Sequence, residues 1–197
     1  MKRLFDIIAA LLGLVLLSPF LIILSAFVAL SGKGGVFFIQ QRVGLDGKLF
    51  GLYKFRSMHP GSEAKGQLTV GERDPRVTKI GLFLRKYKLD ELPQLINVLK
   101  GEMSVVGPRP EVPRYVELYS EEQMRVLTVR PGLTDYASLT YFDEDKLLGE
   151  AENSEEVYIQ EIMPQKLNLN LQYIDERNFV KDLKLIFLTL IKILRRA

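Results

Sequence analysis

MKRLFDIIAALLGLVLLSPFLIILSAFVAL, residues Met1 to Leu30, decides the fold. From Leu4 onward only Asp6, Ser18, Pro19 and Ser25 interrupt a run of apolar residues and glycine. A secretory signal carries an apolar region of about 7–15 residues. This run is longer, and it resumes after an interior proline, which does not resemble a cleavage region. About 20 apolar residues suffice to cross a bilayer, so the length allows a span. Ser18-Pro19 allows something else. Proline removes a helical N–H and crowds the carbonyl four residues back. Each half is then about 18 Å of helix at 1.5 Å per residue, short of the roughly 30 Å hydrocarbon core. Cations flank both ends: Lys2 and Arg3 before, Lys33, Arg42, Lys48, Lys54 and Arg56 after. Loop cations favour the cytoplasmic side, and a re-entrant helix–break–helix leaves both flanks there. A mildly kinked span stays open beside it, because neighbours and water can satisfy the freed backbone groups. The expected division is a membrane hairpin over 1–32, with Ser18 and Pro19 structural, and one domain over 33–197.

Composition limits the chemistry of that domain. The chain has 197 residues, no Cys and a single His, His59. Disulfides, thiolate metal sites, Cys nucleophiles and paired-His zinc sites are excluded. Carboxylates, Arg and Lys, with a bound cation, are left to do any chemistry. The formal charge is only +3, and the basic residues are not concentrated as nucleic-acid binding requires.

Beyond the hydrophobic stretch, residues 36–58 alternate and contain Asp46-Gly47, a two-residue turn signal; they predict a β-hairpin. Period-2 alternation puts Lys54 and Arg56 on one face and Phe55 on the other. Such a cation pair suits an anionic ligand or lipid headgroups, although a solvated strand face reads the same way. Residues 59–75 are punctuated by Pro60, Gly61, Gly66, Gly71 and Pro75 and predict a loop; His59, at its start, is read as structural. Val77–Tyr87 predicts a helix with Arg85 at its basic end.

LDELPQLINVLKG, residues 89–101, predicts a short helix. Pro93 suits its first turn, Leu92, Leu95, Ile96 and Leu99 give it an apolar face, and Gly101 is a C-cap. Asp90 and Glu91 then stand at the helix N-terminus. Capping is the ordinary use of Asp there, but capping does not explain the adjacent Glu or the cation-rich approach. Two neighbouring carboxylates can share Mg²⁺ with a phosphate substrate. In Gly107-Pro108-Arg109-Pro110-Glu111, Pro108 and Pro110 stiffen a loop that presents Arg109, a bidentate phosphate clamp in form. Arg130-Pro131-Gly132 is a second such element. Asp143–Glu156 holds seven acids and one Lys and reads as a solvated face. Tyr158–Tyr173 reads as helical, interrupted by Pro164. Residues 179–196 form an amphipathic stretch with a basic polar face, suited to lying in a membrane interface; a helix packed on the domain is the alternative. The fold class is α+β, mainly helical, with a small β-hairpin and amphipathic interfacial helices around one catalytic domain.

KFRSM (Lys54–Met58), LDELPQLINVLKGEMSVVGPRPE (Leu89–Glu111) and RPGLT (Arg130–Thr134), in this order behind a hydrophobic stretch broken at Ser-Pro, resemble the bacterial monotopic phosphoglycosyl transferases. The resemblance covers nearly the whole chain. It implies transfer of a sugar 1-phosphate from a UDP-sugar to polyprenol phosphate, usually undecaprenyl phosphate, with release of UMP, at the start of polysaccharide, exopolysaccharide and glycoconjugate assembly. It implies a re-entrant hairpin, a cytoplasmic-face domain on the bacterial inner membrane, lipid contact, Asp90 as nucleophile and Glu91 as the Mg²⁺-associated carboxylate. Lys54, Arg56, Arg85, Arg109 and Arg130 become the candidate phosphate-binding cations. The expected route is covalent, through an aspartyl phosphosugar; direct transfer in a ternary complex is the runner-up. After RPGLT the family often continues with Gly and a Gln-containing stretch, where this chain has Asp135-Tyr136-Ala137-Ser138-Leu139, so the transferred sugar is not read. A homo-oligomer is left open. A non-catalytic peripheral membrane protein with the same anchors is the alternative of another class; a phosphodiesterase or nuclease is weaker, for want of a His cluster.

Overall fold

The computed structural model describes residues 1–62, 66, 68–71 and 74–195. The molecule is mainly helical with two small sheets. Helix α1, Lys2–Leu30, takes in the whole hydrophobic stretch. The expected break at Ser18-Pro19 is absent: the helix runs through Pro19. Pro19 has no N–H for the Val15 carbonyl, and the Ser18 hydroxyl donates to that carbonyl instead, at 2.8 Å. A serine beside the proline thus replaces the donor that the proline removed.

The hairpin forms as expected. Strands β1 (Phe37–Val43) and β2 (Leu49–Phe55) pair antiparallel, Phe38 opposite Lys54 and Arg42 opposite Phe50. Asp46 and Gly47 take the positive φ values, 54° and 75°, that close the turn. Helix α2 (Lys79–Lys86) starts on Thr78, whose hydroxyl accepts from the Gly81 amide. A 3₁₀ turn, Leu89–Glu91, leads into α3 (Gln94–Lys100), which ends at Gly101 with φ 87°. Asn97 on α3 is fully buried and ties this helix to β2: its Oδ1 accepts from the Tyr53 amide at 3.0 Å, and its Nδ2 donates to the Gly51 carbonyl at 2.8 Å.

Strand β3 (Ser104–Val106) pairs parallel with β4 (Gly132–Thr134). No local pattern of residues announces this pairing. Gly107 and Gly132 allow it, because a Cβ on Gly132 would lie 2.1 Å from the Gly107 nitrogen. Short helices α4 (Pro113–Val116), α5 (Tyr136–Thr140), α6 (Glu144–Gly149) and α7 (Ser154–Val157) follow. A π-helical turn at Tyr158–Ile162 leads into α8 (Met163–Glu176), so Pro164 begins a helix where the sequence suggested an interruption. The last helix is α9, Phe179–Leu194. Arg196, counted in the amphipathic stretch, lies outside the described residues. Helix α9 turns Asp182 and Leu185 inward and leaves Phe179, Val180, Phe187, Leu190 and Leu194 exposed.

Two of the buried apolar clusters include α1. Ala10 packs with Phe50, Leu52, Val98 and Met103. Leu24 and Val28 pack with Phe55 and Leu84. Both halves of the hydrophobic helix therefore meet the same domain. Many of its other apolar residues, among them Leu12, Leu16, Ile23 and Phe27, stay exposed.

Candidate active site

Asp90 and Glu91 lie in the 3₁₀ turn ahead of α3, in the wall of a cavity of about 630 Å³. Lys88, just before them, holds a left-handed conformation with φ 55°, which a non-glycine residue adopts at an energetic cost. Asp90 is buried, and its Oδ1 has no hydrogen-bond partner. It caps neither the 3₁₀ turn nor α3, so the ordinary use of an N-terminal Asp does not apply. Glu91 is held by two cations. Its Oε2 accepts from Arg109 Nη1 at 3.0 Å, Arg109 Nη2 bonds Oε1, and Lys54 Nζ lies 3.5 Å from Oε1.

The two carboxyls are driven apart in acidity. Burial, and then the Glu91 charge, push Asp90 above its ordinary value. Burial also works against ionisation of Glu91, but Arg109 and Lys54 outweigh it and hold that carboxyl well below the usual range. Burial draws the Lys54 ammonium down to about 8, against the pull of Glu91. The Glu91 charge in turn raises the Arg109 guanidinium above its ordinary value. Adjacent acids with diverging pKa values are a signature of assigned chemical roles.

The predicted cations divide. Lys54, Arg85 and Arg109 line the cavity with the two acids. Arg85 Nη2 donates to Thr69 Oγ1 at 2.6 Å and to Asp145 Oδ2 at 3.2 Å. Arg56 also borders the cavity, but its guanidinium is spent elsewhere. It bonds the Val28 carbonyl at 2.5 Å, the Gly32 carbonyl at 3.1 Å and the Lys33 carbonyl. It therefore stands as a clasp on the end of α1, where the sequence suggested a phosphate ligand. Arg130 is exposed, bonds the Gly101 carbonyl through Nε at 3.0 Å, and is absent from the cavity wall. Pro108 and Pro110 are buried on either side of Arg109.

Sequence reading missed two supports and misread a third. Asp135 is completely buried; its Oδ2 accepts from the Arg109 amide at 3.0 Å while its Oδ1 caps α5 through the Ser138 amide. Glu111 accepts from Arg42 Nη1 at 2.9 Å and from the Tyr158 hydroxyl. The acidic stretch is not a solvated face throughout: Glu144 pairs with Lys166 at 2.6 Å and Asp145 with Arg85, both at the cavity. An acid turned inward beside a distant base has no local sequence signal.

A divalent cation could be held at the acidic pair. Among the described residues no group of three or more His, Asp or Glu forms a protein-only cage. Mg²⁺, however, uses one or two carboxylates and completes its shell with water and phosphate oxygens. The orphaned Asp90 Oδ1, with the lone pairs that Glu91 retains beside Arg109, is a donor set of that kind.

Residues 1–196 match the family described as bacterial sugar transferase. The chain is 41% identical over 194 residues to the uncharacterized sugar transferase EpsL of Bacillus subtilis, covering 98% of this chain and 87% of that protein. It is 41% identical over 195 residues to the UDP-glucose:undecaprenyl-phosphate glucose-1-phosphate transferase of Escherichia coli K12, covering 98% of this chain but 40% of the relative. It is 43% identical over 148 residues to the exopolysaccharide production protein ExoY of Rhizobium meliloti, covering 68% of this chain and 66% of the relative.

Proposed function

This chain belongs to the bacterial sugar transferase family, and we propose that it moves a sugar 1-phosphate from a UDP-sugar to undecaprenyl phosphate, releasing UMP. The observation that carries this is the buried Asp90 with an unpartnered oxygen, beside a Glu91 held by Arg109 and Lys54, in a cavity shared with Lys54, Arg85 and Arg109. A diphosphate is the substrate that such a cation set fits.

In the first step an Asp90 oxygen attacks the sugar-proximal phosphorus. A P–O bond to Asp90 forms, the bond to the bridging oxygen breaks, and UMP leaves with that electron pair. In the second step an oxygen of the acceptor phosphate attacks the same phosphorus, and the Asp90–phosphorus bond breaks to return the carboxylate. Carboxylates serve as nucleophiles in this way in aspartyl-phosphate enzymes. Arg109 is positioned in advance, its backbone by Asp135 and its guanidinium by Glu91, so little reorganisation precedes charge development. Lys54 and Arg85 add positive field. Glu91, with Asp90 beside it, would hold Mg²⁺, which would supply charge neutralisation to the diphosphate and to the departing phosphate.

The acceptor is a membrane lipid, and we read the protein as monotopic on the cytoplasmic face of the inner membrane. Helix α1 is about 43 Å long if straight. Near its start Arg3 donates to the Val98 and Leu99 carbonyls at 2.6 and 3.0 Å; at its end Arg56 holds the Val28 carbonyl. A span across about 30 Å of hydrocarbon would carry one of these ends away from the domain that binds both. A helix seated in one face of the membrane is compatible with both attachments, and the exposed apolar face of α9 gives the domain a second interfacial element.

Release of UMP from a panel of UDP-sugars, by purified protein in lipid nanodiscs with undecaprenyl phosphate and Mg²⁺, tests the proposal. Asp90→Asn and Glu91→Gln are expected to lose about a thousandfold or more of the rate while keeping fold and membrane attachment. A phosphosugar adduct on Asp90 is expected by mass spectrometry when acceptor is withheld. Turnover by both variants at the unsubstituted rate would overturn the proposal.

A further inference from the structure

The cavity extends well beyond the acidic pair. Its wall also includes one face of α8, where Met163, Lys166, Leu167 and Asn170 succeed one another at helical spacing, and Tyr158 in the π-helical turn that precedes it. π-helical turns occur disproportionately at functional sites. The ionisable groups of this wall are already matched with one another. Glu111 bonds Arg42 and Tyr158. Lys166 pairs with Glu144 at 2.6 Å and lies 5.3 Å from the centre of the Tyr158 ring.

Asn170 is the exception. It is 4% exposed, its Oδ1 is buried without a hydrogen-bond partner, and it lines the cavity. A buried amide oxygen that bonds nothing weakens the fold, and an apolar residue would avoid that cost. An amide offers one donor group and one acceptor. A hexose, with hydroxyls all round its ring, needs many free partners, and this wall has spent most of its own. A planar imide edge, with one N–H between two carbonyls and apolar faces above and below, needs one amide and apolar walls.

We infer that Asn170 reads the imide edge of the uracil ring, which places the nucleoside of the donor against α8 and the diphosphate against Lys54, Arg85 and Arg109. A single cavity of about 630 Å³ falls in the size range of sites for ligands of this class. The inference rests on the UDP-sugar reading above and adds the residue that recognises the base.

Binding of UMP and of N3-methyl-UMP to the full chain in nanodiscs, measured by calorimetry, tests it without turnover. N3-methylation is expected to weaken binding to the unsubstituted protein by about tenfold, the loss of a hydrogen bond or two. Asn170→Ala is expected to weaken UMP by about the same factor and to bind both nucleotides equally. Equal binding of the two nucleotides by the unsubstituted protein would overturn the inference with no variant needed. So would unchanged UMP binding in Asn170→Ala accompanied by weaker UDP-glucose binding, which places Asn170 at the sugar. Either result, with UMP release from UDP-sugars intact, removes the base contact alone. A protein that neither binds UMP nor releases it from any UDP-sugar removes the transferase proposal as well.

Discussion

Arg56→Ala separates a structural arginine from a phosphate ligand. Its guanidinium holds the carbonyls of Val28, Gly32 and Lys33 and lies 3.4 Å from Ser31 Oγ. Val28 keeps other partners after the change, because the Ser31 amide and hydroxyl also donate to its carbonyl. The loss is therefore counted on the other two carbonyls, at about 1.5 kcal/mol for each charge-assisted bond, or about 3 kcal/mol together. The favourable placement of a cation at a helix C-terminus adds to this. For a chain of this size about 3 kcal/mol lowers the melting temperature by about 6–12 °C. The chain has no Trp, so calorimetry or circular dichroism in micelles is the suitable readout. Below the melting transition the KM for the UDP-sugar is expected to stay within about twofold of the parent, the ordinary result for a residue that makes no substrate contact. Arg56→Lys keeps the charge but not the fork geometry and is expected to be destabilised as well. A variant that melts like the parent while its KM rises tenfold, with Lys restoring it, would refute the clasp and return Arg56 to the phosphates.

The other cations are distinguished in the same way. Arg130→Ala is expected to leave kcat/KM unchanged, since its side chain is exposed and off the cavity wall, whereas Arg109→Ala is expected to lose about 10²–10³; equal effects in a steady-state UMP-release assay would contradict the placement of both. Gly132→Ala forces a Cβ to within 2.1 Å of the Gly107 nitrogen and is expected to cost about 3 kcal/mol or more by overpacking, detected as loss of the thermal transition; a normal melt would mean that β3 and β4 are not so closely apposed. The Glu111 carboxyl is held below its ordinary pKa: burial opposes ionisation, and Arg42 and Lys166 outweigh it. A carboxyl lowered in the folded state stabilises fully above its unfolded value of about 4.3 and loses that contribution as pH falls through the folded value. The melting-temperature gap between the parent and Glu111→Gln is therefore expected to be constant at neutral pH and to close below about pH 4.3. A gap that persists unchanged at pH 3 would mean that Glu111 acts through shape and not through charge.

Local signals were read correctly where the cause was local. Asp46-Gly47 forms a turn because its two residues supply the positive φ that the hairpin needs. Pro93 and Gly101 bracket α3 for the same kind of reason. Alternation placed Lys54 toward the ligand side, but it could not show that the end of α1 would occupy the next outlet on that face, which is what takes Arg56 away from the cavity. Ser18 was read as part of a break, yet its hydroxyl repairs the ladder beside Pro19. The three-residue strands β3 and β4 are too short for periodicity to reveal, and their partners are remote in the chain. Asn170 did leave a trace, a polar residue in line with the buried Met163 and Leu167 of α8. What the sequence cannot supply is whether such a residue finds a partner inside the fold.

The hydrophobic helix is more than an attachment, because it stands behind the elements that carry Lys54, Arg85, Glu91 and Arg109 into the site. Asp6 is an acid in an apolar helix, a costly placement unless hydrogen-bonded. It accepts from Ser104 Oγ and from the Val105 amide, both at 3.0 Å, and so fixes β3, which runs into the loop that presents Arg109. Gly13 leaves room for Leu95 of α3, whose methyl carbon lies 3.2 Å from where a Cβ would stand, and α3 follows directly from Asp90 and Glu91. At the other end Leu24 and Val28 pack on Phe55 and Leu84, the neighbours of Lys54 on β2 and of Arg85 on α2. A buried ion pair such as Glu91 with Arg109 repays its desolvation only when the geometry is held. Here it is held from behind, by a helix whose outer surface is apolar and exposed along Leu12, Leu16, Ile23 and Phe27. The surroundings of that outer surface thereby become part of the electrostatics of the site: a displacement of α1 reaches Lys54, Arg85, Glu91 and Arg109 through one set of packed side chains.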